Sequence, residues 1–260
     1  MALIVIGLAL TACGKSSTPS PPPKTVPDIP DTSVWSADEG IDLFSRGAEL
    51  IRATLEAGGN ATYTGVDNAA YPGYARAVAD LTKQVENARQ PILGVRQYVS
   101  RQPVNPDWKE RPMTTYLHIT GYTATDTKVS AIVCGYSVLP EQLPQEDDRF
   151  QGGGIRIELD NTTSQPGLPG IANRDPGHHD PRAQLPPRWD VFGTWKVTTI
   201  KAPVGNDQYA AECLPWLQEQ FPTFTKDPNY NVLNAPPGYV APHHPVTPQF
   251  PEWIGPSDRG

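Results

Sequence analysis

Between Ile41 and Leu55 the apolar residues fall at steps of three and four. Ile41, Phe44, Ala48, Ile51 and Leu55 therefore line one face of a helix. Just upstream, Ser36-Ala37-Asp38-Glu39 has capping-box spacing, and Gly58-Gly59 follows as a stop signal, so the pattern predicts a helix from Ser36 to about Ala57. A second helix is predicted from Pro72, a good first-turn residue, to Arg89, with Ala75, Val78, Leu81, Val85 and Ala88 on its apolar side.

Beyond Pro91 the period falls to two. Residues 113–138 read as two antiparallel strands joined around Ala124–Asp126, because β-branched and aromatic residues flank a short polar turn. In residues 154–160, Ile155, Ile157 and Leu159 alternate with Arg156, Glu158 and Asp160, the mark of a strand with one wet side. Residues 189–201 are predicted as a long strand with Val191, Trp195 and Val197 on one face. Residues 92–101 read as a further strand or as a continuation of the second helix, with strand preferred. Residues 207–221 suit a short helix in which Pro215 either kinks the chain or occupies the first turn. A loop dense in Pro, Gly and Asp fills 161–188, and loops of that length are usually functional or mobile.

The two ends differ from this middle. Ala2 to Ala12 is almost wholly apolar but too short to span a bilayer, which needs about 20 residues. It fits the apolar part of a signal peptide closed by small residues. Leu10-Thr11-Ala12-Cys13 resembles the lipobox of bacterial lipoproteins, in which the cysteine thiol receives a diacylglyceryl group. That resemblance implies a signal peptide at 1–12, lipidation at Cys13 and a lipid-anchored protein on the extracytoplasmic face of the cell membrane. Residues 13–32 carry Ser, Thr, Pro and Lys with few large apolar groups, so they are expected to form an extended tether. An α+β domain is expected over 33–221. Prolines return after Pro222, and 222–260 is expected to wrap the surface or stay extended as a Pro-rich tail.

Composition narrows the partners. The chain has 21 basic and 28 acidic residues, a formal charge of −7, and no basic cluster, which argues against nucleic acid. Besides Cys13 only Cys134 and Cys213 remain, and export would place both in an oxidising compartment where one disulfide can persist. Neither has a second Cys or His at metal-binding spacing.

Two helices, a hairpin, further antiparallel strands and Gly193-Thr-Trp-Lys-Val197 together resemble the nuclear transport factor two-like, or SnoaL-like, cone fold. The resemblance covers roughly 35–202. It implies two N-terminal helices on a curved antiparallel sheet that leaves an apolar cavity. Helices on an unrelated antiparallel sheet fit the same element order. Tyr116, His118 and Trp195 are the candidate pocket-lining residues, with His118 alternating between Tyr116 and Thr120 on a strand face.

Other motifs carry less chemistry. His178, His179 and Asp180 adjoin one another, but side chains adjacent in a loop rarely converge on one ion. His243-His244 is weaker still, and Gly152–Gly154 feeds a strand without the Gly-Lys-Ser/Thr ending of a phosphate loop. Asn60 and Asn161 open glycosylation sequons, which carry little meaning in a bacterial envelope protein. No Gly-x-Ser-x-Gly elbow is present, so no catalytic residue, metal or cofactor is expected. The expected function is a non-enzymatic lipoprotein that binds a small apolar ligand or an envelope partner. The alternatives are a SnoaL-like enzyme with a cavity active site and a phage- or prophage-encoded interaction lipoprotein.

Overall fold

Alternation over 113–138 does produce a hairpin. Strands β1 (Asp31–Ala37), β2 (Met113–Ala124) and β3 (Lys128–Val138) lie side by side, and β2 pairs antiparallel with β3, Ile119 opposite Val133. The computed structural model describes residues 31–88, 94–104, 113–139, 152–202 and 210–256. The 1–12 leader, Cys13 and the tether up to residue 30 lie outside the described residues. Strands β4 (Gly152–Asn161) and β5 (Trp195–Lys201) extend the sheet in the order β1-β2-β3-β4-β5. The fold class is α+β.

The sheet is mixed rather than purely antiparallel, because β1 runs parallel to β2 with Trp35 beside Leu117 and Ser36 beside His118. This corrects the predicted helix start at Ser36. The segment Asp31–Ala37 holds Val34 and a Trp35 that is 2% exposed, and a parallel partner eighty residues away outcompetes the local capping box. The helix α1 (Arg46–Thr64) instead begins after Ser45, whose Oγ accepts from Ala48 N at 3.3 Å.

Gly58-Gly59 also fails as a stop, since α1 runs on to Thr64 and ends at Gly65 with φ 77°. Gly58 sits where a side chain would press on Tyr98 and the Tyr74 hydroxyl, so its job is close packing rather than termination. The second predicted helix is split at Val78 into α2 (Tyr74–Ala77) and α3 (Ala79–Asn87). Where strand was preferred over 92–101, the described part holds a single helical turn, α4 (Arg96–Val99), packed on α1 and α3. At 189–201 only the second half is strand, because the chain turns at Gly193 with φ 54°.

Helices cover both faces of the sheet. On one face α1 to α4 pack on Leu117, Ile119, Val129, Ala131, Val133, Ile157 and Leu159, all close to fully buried. On the other, α5 (Leu214–Gln220) and a small ladder of β6 (Thr225–Lys226) and β7 (Leu233–Asn234) cover Ile132 and Cys134. Pro215 lies in the first turn of α5, where its missing N–H costs nothing. The helix is bonded to the sheet by a disulfide between Cys134 and Cys213, with Cα atoms 5.4 Å apart.

The C-terminal segment does more than wrap the surface. Trp35 N donates to Phe250 O at 2.8 Å, Phe250 N donates to Ser33 O at 3.0 Å, and Trp253 enters the main core at 1% exposure. It also holds the long 161–188 loop: Ile171 N donates to Ile254 O and Gln184 N to Trp253 O, both at 2.9 Å.

Candidate functional site

Helix α1 places four charged residues, Arg46, Glu49, Arg52 and Glu56, at steps of three, three and four, hence along one side. Burying them is costly unless each is partnered. Arg46 Nη1 reaches Glu49 Oε2 at 2.5 Å and its other nitrogens donate to Pro166 O and Val191 O. Glu49 Oε1 accepts from Gly170 N at 2.7 Å. The Arg52 guanidinium, 3% exposed as a residue, lies 4.4 Å over the Trp253 ring and donates to Pro251 O. Burial pulls its pKa down, and the charges of Glu56 and Glu49 work against that.

At the end of this ladder four donors converge on Glu56. Trp35 Nε1 (2.7 Å) and Gln249 Nε2 (3.1 Å) bind Oε1, while the Tyr71 hydroxyl (2.6 Å) and Trp253 Nε1 (2.8 Å) bind Oε2. An ionised carboxylate offers about four acceptor positions, so Glu56 has none left over. Charge here fastens α1 to β1 and to the C-terminal segment.

Beside Glu56 a cavity of about 410 Å³ opens between α1 and the sheet. Leu55, Gly59 and Tyr63 face it from α1; Leu117, Val133, Gly135 and Ile155 form its floor; Tyr71 and Tyr98 close its sides. Burial raises the phenol pKa of Tyr71 and Tyr98, and that of Tyr136 to about 12. Gly59 has no evident packing role. A Cβ built there meets nothing within 4 Å, and its backbone is ordinary helix, yet glycine inside a helix costs roughly 0.5–1 kcal/mol against alanine. What the missing side chain provides is room.

The three sequence-predicted pocket residues do not line this cavity. Trp195 is core, 2% exposed, with Nε1 donating to Pro166 O at 2.8 Å. Tyr116 and His118 point to the other face of β2 because the cavity takes the odd-numbered residues of that strand. They share a separate recess with Val34, Ser36 and Trp216, where the His118 ring stacks on Trp216 at 5.0 Å and 12°. There His118 Nδ1 is 2.9 Å from Ser36 Oγ and Nε2 is 2.9 Å from Asp38 Oδ1. The Asp38 carboxyl is held below its usual range by the Thr120 hydroxyl, against the effect of burial and with help from His118.

The remaining motifs resolve into structural pairings. His179 Nδ1 contacts Glu252 Oε1 at 2.5 Å and Asp180 pairs with Arg182, so the histidine-rich loop is clipped to the C-terminal segment. Among the described residues no group of three or more His, Cys, Asp or Glu is placed to hold a metal. His243 contacts Leu139 O, and His244 faces the Tyr116 hydroxyl at 3.4 Å. Gly153 and Gly154 belong to β4. Asn60 is 6% exposed, and Asn161 Nδ2 donates to Gln165 O, so both sequons are committed to the fold.

No family model, no curated protein and no solved structure matches this chain. Sequence reasoning expected an apolar cavity but missed the residues that line it, whose one local signal is the glycine pair inside an otherwise continuous helical pattern.

Proposed function

We propose that this is a lipoprotein, anchored through Cys13 to the outer side of the cell membrane, which holds a small apolar ligand between α1 and the sheet. The reading rests on one observation above all: a cavity of about 410 Å³ with a mainly aliphatic and aromatic wall, kept open by a glycine in mid-helix. Binding needs no catalytic group there, and Glu56, the most heavily hydrogen-bonded side chain on the wall, is already saturated by four donors.

Purified protein incubated with an envelope lipid extract should retain one class of small molecule, and Gly59→Phe should lose it. If both retain the same molecules, the cavity is not the binding site. The anchor has its own test: Cys13→Ala should leave the membrane fraction, and unchanged fractionation and migration would sink it. A second reading, an enzyme, is favoured by the Ser36–His118–Asp38 chain, in which a hydroxyl, an imidazole and a carboxylate are within hydrogen-bond reach. Labelling of Ser36 by a fluorophosphonate, absent in His118→Ala, would select it.

A further inference from the structure

The recess on the opposite face of the sheet offers a different chemistry from the cavity, and three elements converge on it. Ser36 comes from β1, Tyr116 and His118 from β2, and Trp216, Glu219 and Gln220 from α5. Glu219 and Gln220 follow Trp216 by three and four residues, so the three share one side of that helix. Leu214 and Leu217 on its other side are buried, and the Cys134–Cys213 bond fixes the residue just before α5 to β3. The rings are held as well. Both nitrogens of His118 are engaged, Nδ1 with Ser36 Oγ and Nε2 with Asp38 Oδ1, and Trp216 lies nearly parallel to that ring at 12°. Tyr116 is stacked against Tyr136 at 5.1 Å, with its hydroxyl 3.1 Å from Thr247 Oγ1. Side chains already fixed in this way lose little freedom when a ligand arrives.

What is left unpaired is polar and lies around these rings. Among the described residues, Trp216 Nε1 and the Glu219 carboxylate have no hydrogen-bond or ion-pair partner. Gln220 uses only its Oε1, which accepts from the Tyr136 hydroxyl at 3.4 Å, so its Nε2 is free to donate. Glu219 and Gln220 are exposed, and Trp216 and Tyr116 are half-buried. Donors and an acceptor therefore border a surface of aromatic carbon. A pyranose has the matching build: the C–H groups of one face pack on the electron-rich face of an aromatic ring, and the hydroxyls at its edge both donate and accept. A flat aromatic ligand would use the rings and leave Glu219 and Gln220 idle. The recess holds about 380 Å³, room for about a dozen non-hydrogen atoms at the ~30 Å³ that each water occupies in the liquid, hence for a single sugar ring.

We propose that this recess binds one pyranose ring of a glycan, with Trp216 and Tyr116 against the sugar's C–H face and Glu219 and Gln220 on its hydroxyls. The full chain is titrated by calorimetry and by tryptophan fluorescence with hexamers of β-linked glucose, β-linked N-acetylglucosamine and α-linked mannose. At least one of them should bind at millimolar concentration or below. Trp216→Ala should abolish that binding, and Glu219→Ala with Gln220→Ala should weaken it roughly tenfold or more. Should Trp216→Ala fail to fold, the double variant decides, since both of its side chains are exposed. Failure of all three glycans to bind the wild-type protein overturns the proposal, as does undiminished binding by the double variant. Binding that is lost in Gly59→Phe but kept in Trp216→Ala also overturns it, because the sugar would then sit in the cavity across the sheet.

Discussion

Two adjacent glycines on α1 should respond to the same substitution with opposite signs. Replacing either by alanine removes the entropic disadvantage of glycine in a helix, a gain of roughly 0.5–1 kcal/mol. At Gly59 the new methyl meets nothing within 4 Å, so the gain stands uncancelled. At Gly58 the methyl would lie 2.8 Å from Tyr98 Cδ1 and 2.9 Å from the Tyr74 hydroxyl. Tyr74 is fully buried and its hydroxyl donates to Tyr98 O at 3.0 Å, so neither ring can retreat cheaply. Overpacking of this kind costs about 1–3 kcal/mol and exceeds the helix gain. Gly59→Ala should therefore raise the melting temperature by roughly 1–4 °C, and Gly58→Ala should lower it by a similar or larger amount. Thermal unfolding followed by tryptophan fluorescence gives both numbers. Two shifts of the same sign would mean that the cavity side and the packed side of α1 have been wrongly assigned.

Three further outcomes follow from the geometry. Replacing both Cys134 and Cys213 by alanine opens a link across 79 residues and should lower stability by up to about 4–5 kcal/mol, read as a fall in the urea midpoint; an unchanged midpoint refutes the link. Trp253→Ala removes a fully packed ring and one of the four donors to Glu56, and should cost about 3–5 kcal/mol. Limited proteolysis should then cut the C-terminal segment in the variant first, and identical digestion of both proteins counts against its role in the core. Burial raises the pKa of Tyr71, Tyr74, Tyr98 and Tyr136, the last to about 12. Unfolded tyrosines release protons near pH 10 while these do not, so stability is intact below about pH 10 and falls as pH rises through the folded values. Tyrosinate absorbance should show a late phase coincident with loss of circular dichroism; a single phase near pH 10 with the fold intact would contradict the burial.

Local pattern revealed the hairpin and β4, because Ile155, Ile157 and Leu159 alternate with charge and need no distant partner to be recognised. It also located the cysteine pair that the structure joins. It failed at β1, where Ser36-Ala-Asp-Glu satisfies a helix cap but the strand's bonds come from β2 and Phe250, far away in the chain. The partners of the four charges on α1, at Gly170, Pro251, Trp253 and Gln249, could not be paired with them from periodicity. The face assignment of β2 was the costliest error for the site. His118 drew attention as the strand's titratable group, whereas the cavity belongs to its neighbour Leu117. An alternating pattern gives two faces, and only packing says which one bounds the cavity.

The bridge between Val34 and Phe250 also bears on how the protein behaves in company. A strand at the margin of a sheet offers unpaired N–H and C=O groups to any neighbouring chain. Here that margin is occupied by the molecule's own residues: Phe250 exchanges hydrogen bonds with Ser33 and Trp35, and Thr32 Oγ1 donates to Thr247 O at 2.6 Å. The template for self-association is thus blocked from within. Because the blocking residues lie more than 200 positions beyond β1, a chain still being made carries that strand unprotected until all of those residues have been added.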